Sequence, residues 1–138
     1  MARVLVISSG GGHWQQARLL GPALPEDTTF VRATADGADL PDCNLKTIWK
    51  VPLCFLKAVR LIRKVRPDVV LSTGALPGLV GILAGKAFGA KVIWIDSVAN
   101  ARRLSMSGRA ARFICRDVFC QWPDVARRTG ARYAGSVL

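Results

Sequence analysis

Residues 3–16 read RVLVISSGGGHWQQ. The run Arg3 to Ile7 is continuously apolar and β-branched, which is the mark of a strand covered on both faces rather than one. It ends in two serines, three successive glycines and His13, the only histidine in the chain. Glycines at the mouth of a strand let the backbone turn sharply and leave bare N–H groups beside the helix that follows, where the dipole favours an anion. The standard nucleotide motifs do not fit. Gly10 and Gly12 begin a GxGxxG pattern whose sixth position is Gln15, and no GK[ST] follows. The stretch reads as a strand–turn–helix unit with either a plain tight turn or an anion seat of another kind.

Further strands and helices alternate with it. Gln15 to Leu20 is a short helix stopped near Gly21-Pro22, and Thr28 to Ala33 a strand. Thr34 to Asn44 is a loop of breaker residues. Leu53 to Val65 is helical, with Phe55, Val59, Ile62 and Arg66 on one face, Ala58 and Val65 beside them, and Lys57, Arg60 and Lys64 on another. Val69 to Leu71 is a buried strand, Leu79 to Phe88 an apolar helix capped by Gly89, and Lys91 to Ile95 a strand. A basic helical stretch covers Gly108 to Cys115. Val118 to Gln121, Asp124 to Thr129 and Arg132 to Ala134 complete a strand, a helix and a last short strand. The alternation predicts an α/β fold, one Rossmann-like domain over residues 1–138 with an open, mostly parallel sheet.

The totals bound the function. Twenty Lys+Arg face nine Asp+Glu for a net charge of +11, which favours polyanions, phosphorylated ligands or anionic lipid surfaces. The opening residues lack a signal-peptide pattern. The longest apolar stretch, Val69 to Ala90, is broken by Ser72, Gly74, Pro77, Gly85 and Lys86, short of the roughly 18–20 uninterrupted apolar residues of a membrane span. A cytoplasmic, soluble or peripheral protein is the expectation. The four cysteines show no CxxC and, with one histidine, no metal-ligand spacing, so they read as reduced packing thiols, and no metal or cofactor is expected. A nucleic-acid-binding module finds support only in the charge: no helix-turn-helix, RNP-like strand or zinc finger accompanies it.

In an open parallel sheet, ligands bind beyond the carboxyl ends of the strands. Three segments occupy that place: Ser8 to His13, then Ser72 to Gly78 (STGALPG), then Asp96 to Asn100. In the second, Thr73 is a possible cap, Gly74 lets backbone come close, and Pro77 suits an early helical position. After Asp96 and Ser97 comes ARRLSMSGR, in which Arg102, Arg103, Ser105 and Ser107 alternate cations with hydroxyls. Forked guanidinium groups and hydroxyl donors suit phosphate, although a solvated basic loop has the same composition.

ISSGGGHWQQ, RPDVVLSTGALPG, WIDSVANARRLSMSGR and FCQWPD, in this order, resemble the family of asparagine-linked-glycosylation protein 14, the membrane-associated subunit of a split UDP-N-acetylglucosamine transferase. Bacterial small subunits of two-chain exopolysaccharide transferases, glucuronosyltransferases among them, are closer in style. More distantly the chain is similar to the N-terminal, acceptor-binding half of MurG-type enzymes of the GT-B fold. The resemblance implies a partner chain that supplies the donor half and most of the UDP-sugar site. It implies that Ser9, Gly10, Gly11, Gly12, Thr73, Gly74, Ser97, Arg102, Arg103, Ser105 and Ser107 hold the diphosphate of a polyprenyl-linked saccharide. His13 becomes the candidate general base, and Asp96 a second catalytic candidate or a loop-orienting carboxylate. The eukaryotic family member carries a membrane span that has no counterpart here. Attachment to the cytoplasmic face of an anionic membrane is therefore expected from Trp49, Leu53, Phe55, Leu56, Lys57, Arg60 and Lys64, whose mixture of apolar and basic residues suits an interfacial helix or, alternatively, a core helix with a solvated face. The QWPD segment, residues 121–124, is either a strand end with a stacking Trp or part of the partner interface.

Overall fold

A computed structural model describes residues 2–34 and 40–136. The predicted strands are present as β1 (Val4–Ser8), β2 (Thr29–Arg32), β3 (Val69–Ser72), β4 (Lys91–Ile95), β5 (Asp117–Cys120) and β6 (Arg132–Tyr133). They form one sheet in the order β2-β1-β3-β4-β5-β6, and every neighbouring pair is parallel. Between them lie α1 (Gly12–Leu19), α2 (Val51–Val65), α3 (Ala75–Ala87), α4 (Met106–Ala111) and α5 (Pro123–Thr129). The middle of the predicted loop from Thr34 to Asn44 lies outside the described residues.

All five helices begin earlier than the sequence indicates, by one to four residues. α1 starts at Gly12 rather than Gln15, because the chain turns at Gly11 (φ 67°) and is helical from the next residue. α3 starts at Ala75 rather than Leu79, although ALPG looks like punctuation. Pro77 is the third helical residue, where its missing N–H would have had no intrahelical partner. Gly78 faces the sheet so closely that a Cβ there would sit 2.0 Å from the Ser72 hydroxyl, so its role is close packing rather than a helix stop. α2 begins at Val51, after a 3₁₀ turn (Leu45–Lys50) closed by an Asn44–Thr47 capping box. The basic helix α4 is shorter than predicted and shifted toward the N-terminus, running from Met106 to Ala111 rather than from Gly108 to Cys115.

The strand order dictates where the helices go. Right-handed crossovers that move from β2 past β1 to β3, and onward to β6, put α2 to α5 on one face; the single crossover in the opposite direction puts α1 alone on the other. Accordingly Leu5, Ile7, Val70, Val92, Trp94 and Val118 pack with Cys54, Ala58, Ile62, Ile82 and Val125 in the larger core. Val4, Val6 and Leu71 pack with Ala17 of α1 in the smaller one. Since α1 packs chiefly over β1, Leu71, Ile93, Ile95 and Phe119 are left lining an open apolar trough of about 380 Å³. The four cysteines are buried and free, as packing thiols would be. No helix among the described residues is long and apolar enough to cross a membrane.

Candidate functional site

The order of strands reverses between β1 and β3, so their carboxyl ends open a crevice at the switch point. The segments that follow these two strands meet across it. Nδ1 of His13 lies 3.2 Å from the carbonyl oxygen of Thr73, and the Thr73 hydroxyl donates a 2.8 Å hydrogen bond to the carbonyl of His13. A carbonyl oxygen can only accept, so Nδ1 carries a proton in this contact, and the tautomer it selects is the one whose lone pair lies on Nε2. Gly74 forms the floor beneath the imidazole: at φ 142° it takes a conformation that favours glycine, and a Cβ there would lie 2.4 Å from Nδ1.

The helix N-termini at this crevice carry no side-chain cap. In α1 the amides of Gly12, His13 and Trp14 precede the first intrahelical bond, from Gln15 N–H to the Gly11 carbonyl. α3 likewise opens behind Gly74 without a cap. Ala75, its first residue, is left-handed (φ 64°), a strained choice for a side-chain-bearing residue. α4, by contrast, is closed by Ser105, whose hydroxyl accepts from Gly108 N–H.

A cleft of about 460 Å³ extends from His13 and Ala75 to the segment after β4, lined there by Ser97, Asn100, Arg103, Ser105, Ser107 and Arg109. Among the predicted residues, His13, Ser97, Arg103, Ser105 and Ser107 thus share one cavity. Gly11 and Gly12 are exposed at the start of α1, Gly10 is half-buried, and Ser9 is buried behind them. Thr73 is wholly buried, its hydroxyl given to His13. Arg102 lies in a neighbouring groove with Asp124, Arg127 and Arg128. Asp96 is 1% exposed, and its carboxylate accepts from Trp94 Nε1 at 3.1 Å, Ser105 N–H at 2.9 Å and the Ser105 hydroxyl at 2.6 Å. It stands behind the wall of the cleft and fixes the start of α4. Trp122, expected either as a stacking residue or in a partner interface, packs against the larger core and donates its indole N–H to the Val98 carbonyl at 2.7 Å.

Asn100 and Arg109, which lie in segments the sequence singled out but were not among the residues expected at the diphosphate, also line the cleft; Arg32, whose Cδ is 3.9 Å from where a Cβ on Gly10 would be, was missed. Arg32 ends β2 beside the glycine turn and also stacks over Trp14, 5.6 Å from its centroid. Its place at the carboxyl end of a predicted strand was the available signal.

The membrane-docking candidates divide. Trp49, Leu53 and Leu56 are 70%, 50% and 58% exposed, and Ile48 joins them at 59%. Arg60 and Lys64 are exposed further along α2, whereas Lys57 is half-buried and Phe55 packs against the core. Arg66, expected on the apolar face, is the exposed left-handed residue that ends α2. Because α2 begins at the carboxyl edge of a parallel βαβ unit, the exposed apolar patch lies at the same end of the molecule as the His13 cleft.

The all-parallel sheet with its switch-point cleft defines a Rossmann-like domain. The chain belongs to the family of Alg14-like oligosaccharide biosynthesis proteins, whose family model matches residues 30–137. It is 30% identical over 93 residues to the UDP-N-acetylglucosamine transferase subunit ALG14 of Yarrowia lipolytica, an alignment covering 61% of this chain and 42% of that protein. The fold superposes on MurG of Acinetobacter baumannii with a TM-score of 0.74 at 14% identity, covering 99% of this chain and 45% of the other. UDP-N-acetylglucosamine 2-epimerase of Rickettsia bellii gives 0.71, also at 14% identity, with 99% and 45% covered. The chain therefore spans less than half the length of these proteins. MurG and an epimerase share its fold at similar TM-scores, so the fold by itself does not choose a reaction.

Proposed function

We propose that this chain is the acceptor-binding subunit of a two-chain glycosyltransferase, its partner supplying the UDP-sugar. The observation that carries the reading is the His13–Thr73 pair at the switch point, which engages Nδ1 and leaves Nε2 facing away from that contact beside two uncapped helix N-termini. The diphosphate of a polyprenyl-linked saccharide would lie against the first-turn amides of α1 and α3, with Arg103 and Arg109 on the opposite wall of the cleft. Nε2 would then accept the proton of the acceptor hydroxyl as its oxygen attacks the anomeric carbon. The carbon–oxygen bond to the nucleotide breaks, UDP departs and the anomeric configuration inverts. Base assistance of this kind contributes typically about 10²–10⁴ in rate. Asp96 acts here as an orienting carboxylate, since its oxygens are committed to Trp94 and Ser105.

The patch of Ile48, Trp49, Leu53 and Leu56, flanked by the cations of α2, would seat this end of the domain on the cytoplasmic face of an anionic membrane, where a lipid-linked acceptor resides. The same patch favours a second reading, in which the chain only anchors and orders a catalytic partner. Co-expression with a donor-binding chain, followed by transfer assays with a panel of UDP-sugars and a polyprenyl-diphosphate saccharide, separates the two. Transfer that requires both chains and is abolished by His13→Ala, with partner and vesicle binding intact, supports catalysis. Full transfer by the partner alone in detergent leaves an anchor.

A further inference from the structure

Two buried glutamines lie behind the cleft where apolar residues would fill the same space. Gln16 and Gln121 are each 4% exposed. Gln16 stands three residues after His13 on α1. Its amide nitrogen donates to the Asp96 carbonyl at 3.3 Å, and its amide oxygen accepts from Val98 N–H at 3.2 Å. Gln121, immediately after β5, donates to the same Asp96 carbonyl at 3.1 Å and accepts from the Ser136 hydroxyl. Trp122 closes the set through the Val98 carbonyl. The backbone from Asp96 to Val98 is thus held from α1 on one side and from the end of β5 on the other.

This segment has left the sheet: after Asp96 N–H bonds to the Phe119 carbonyl at 2.8 Å, no regular element carries the chain until α4. Ser97, Asn100 and Arg103, which line the cleft, hang from it. An irregular segment would ordinarily satisfy its polar backbone with water and move accordingly. Here the amide of Gln16 replaces that water with a rigid connection to the helix that carries His13. A Leu or Met at the position would fill the core but leave Val98 N–H without this acceptor.

We infer that Gln16, supported by Gln121 and Trp122, is a positioning residue: it sets the spacing between His13 and the Ser97–Arg103 wall, and so aligns an acceptor held by that wall with the base. The catalytic part of this inference rests on the glycosyl-transfer reading; the mechanical part does not.

The test uses the full chain with its partner and three variants, Gln16→Met, Gln16→Glu and Trp122→Phe. Met matches the length of Gln without its hydrogen bonds, whereas Glu keeps the acceptor for Val98 N–H. In amide hydrogen exchange, Gln16→Met should raise exchange across residues 97–105 and leave β1, β3 and β4 at wild-type rates. In steady-state assays, kcat should fall about 10- to 100-fold, the range that a misplacement near 1 Å produces, while KM for the UDP-sugar is unchanged. Gln16→Glu, which loses the donor to the Asp96 carbonyl while keeping the acceptor for Val98 N–H, should also raise exchange in residues 97–105. Trp122→Phe should loosen the same segment to a smaller degree.

Wild-type exchange in residues 97–105 for Gln16→Met overturns the clamp. So does a rise spread over the whole chain together with a lowered Tm, which marks an ordinary core residue. Exchange confined to the segment with kcat unchanged overturns the positioning role. If the wild-type pair transfers no sugar from any donor, the transferase reading fails and exchange alone decides the clamp.

Discussion

Nδ1 of His13 and the carbonyl oxygen of Thr73 lie 3.2 Å apart although the residues are 60 positions apart in the chain. The contact joins the end of β1 to the end of β3, the two strands between which the sheet reverses its order. Removing the ring while keeping the fold is the direct probe of its role. His13→Ala should lower kcat of the assembled enzyme by about 10²–10⁴, the usual contribution of a general base, with KM for the UDP-sugar unchanged. Wild-type turnover in the variant would remove His13 from the mechanism.

Gly74 supports the same ring from below. Gly74→Ala would put a methyl group within 2.4 Å of Nδ1 and force a φ of 142° on a residue with a Cβ. The ring must move, and backbone strain of about 1–3 kcal/mol should appear as a lower midpoint in urea unfolding. Activity should fall toward that of His13→Ala. Retention of both stability and activity would show that the ring position is not critical.

The arginines near the cleft should be unequal. Arg103 and Arg109 line it, whereas Arg102 faces the groove formed with Arg127 and Arg128. Charged hydrogen bonds contribute about 1.5–3 kcal/mol, so Arg103→Ala and Arg109→Ala should each raise KM for the diphosphate acceptor about tenfold or more. Arg102→Ala should change it far less. Equal effects from all three would mean a diffuse field rather than defined contacts.

Vesicle co-sedimentation tests the exposed patch. Replacing Trp49, Leu53 and Leu56 together with Ser removes side chains that gain about 1.5–3 kcal/mol each on full burial, and binding to anionic vesicles should fall at least tenfold. The far-UV spectrum should be preserved, since these side chains lie outside the core. Wild-type vesicle binding would assign the patch elsewhere.

Burial sets a prediction for alkaline pH. It pushes the Cys54 thiol up to about 12, with the neighbouring Cys43 adding to the shift, and Cys115 up to about 11. A group whose proton is held more tightly in the folded state stabilises fully below its unfolded pKa, here near 9.0, and loses that contribution as pH rises toward the folded value. Unfolding free energy should therefore be insensitive to these thiols at pH 7 and decline from about pH 9 to 11, by about 1.4 kcal/mol per pH unit for each thiol. Cys54→Ala and Cys115→Ala should flatten that decline. A native protein whose thiols alkylate rapidly at pH 8 would contradict their burial.

Local patterns made most of the architecture legible. β1 could be read from a continuous β-branched run because both of its faces are covered, so no polar alternation obscured it, and β4 reads the same way although Ile93 and Ile95 face the open trough. The starts of α1 and α3 were harder, since glycine and proline carry one meaning in a helix interior and another in its first turn.

Within the sequence itself, the apolar runs, the glycine turn with its single histidine and the alternation of strand and helix determined an open parallel sheet and the edge on which a ligand would lie. Those are short-range properties of backbone sterics and burial. Tertiary structure alone decided which neighbours each polar side chain would have. It spent the hydroxyl of Thr73 and the carboxylate of Asp96 on His13 and Ser105, turned Arg102 away from the cleft, and brought Arg109 into it. It also brought Gln16 against Asp96, 80 residues away, through the order in which the strands assemble. Composition does not encode such pairings, because a hydrogen bond depends on direction and distance across elements that meet only when the sheet closes.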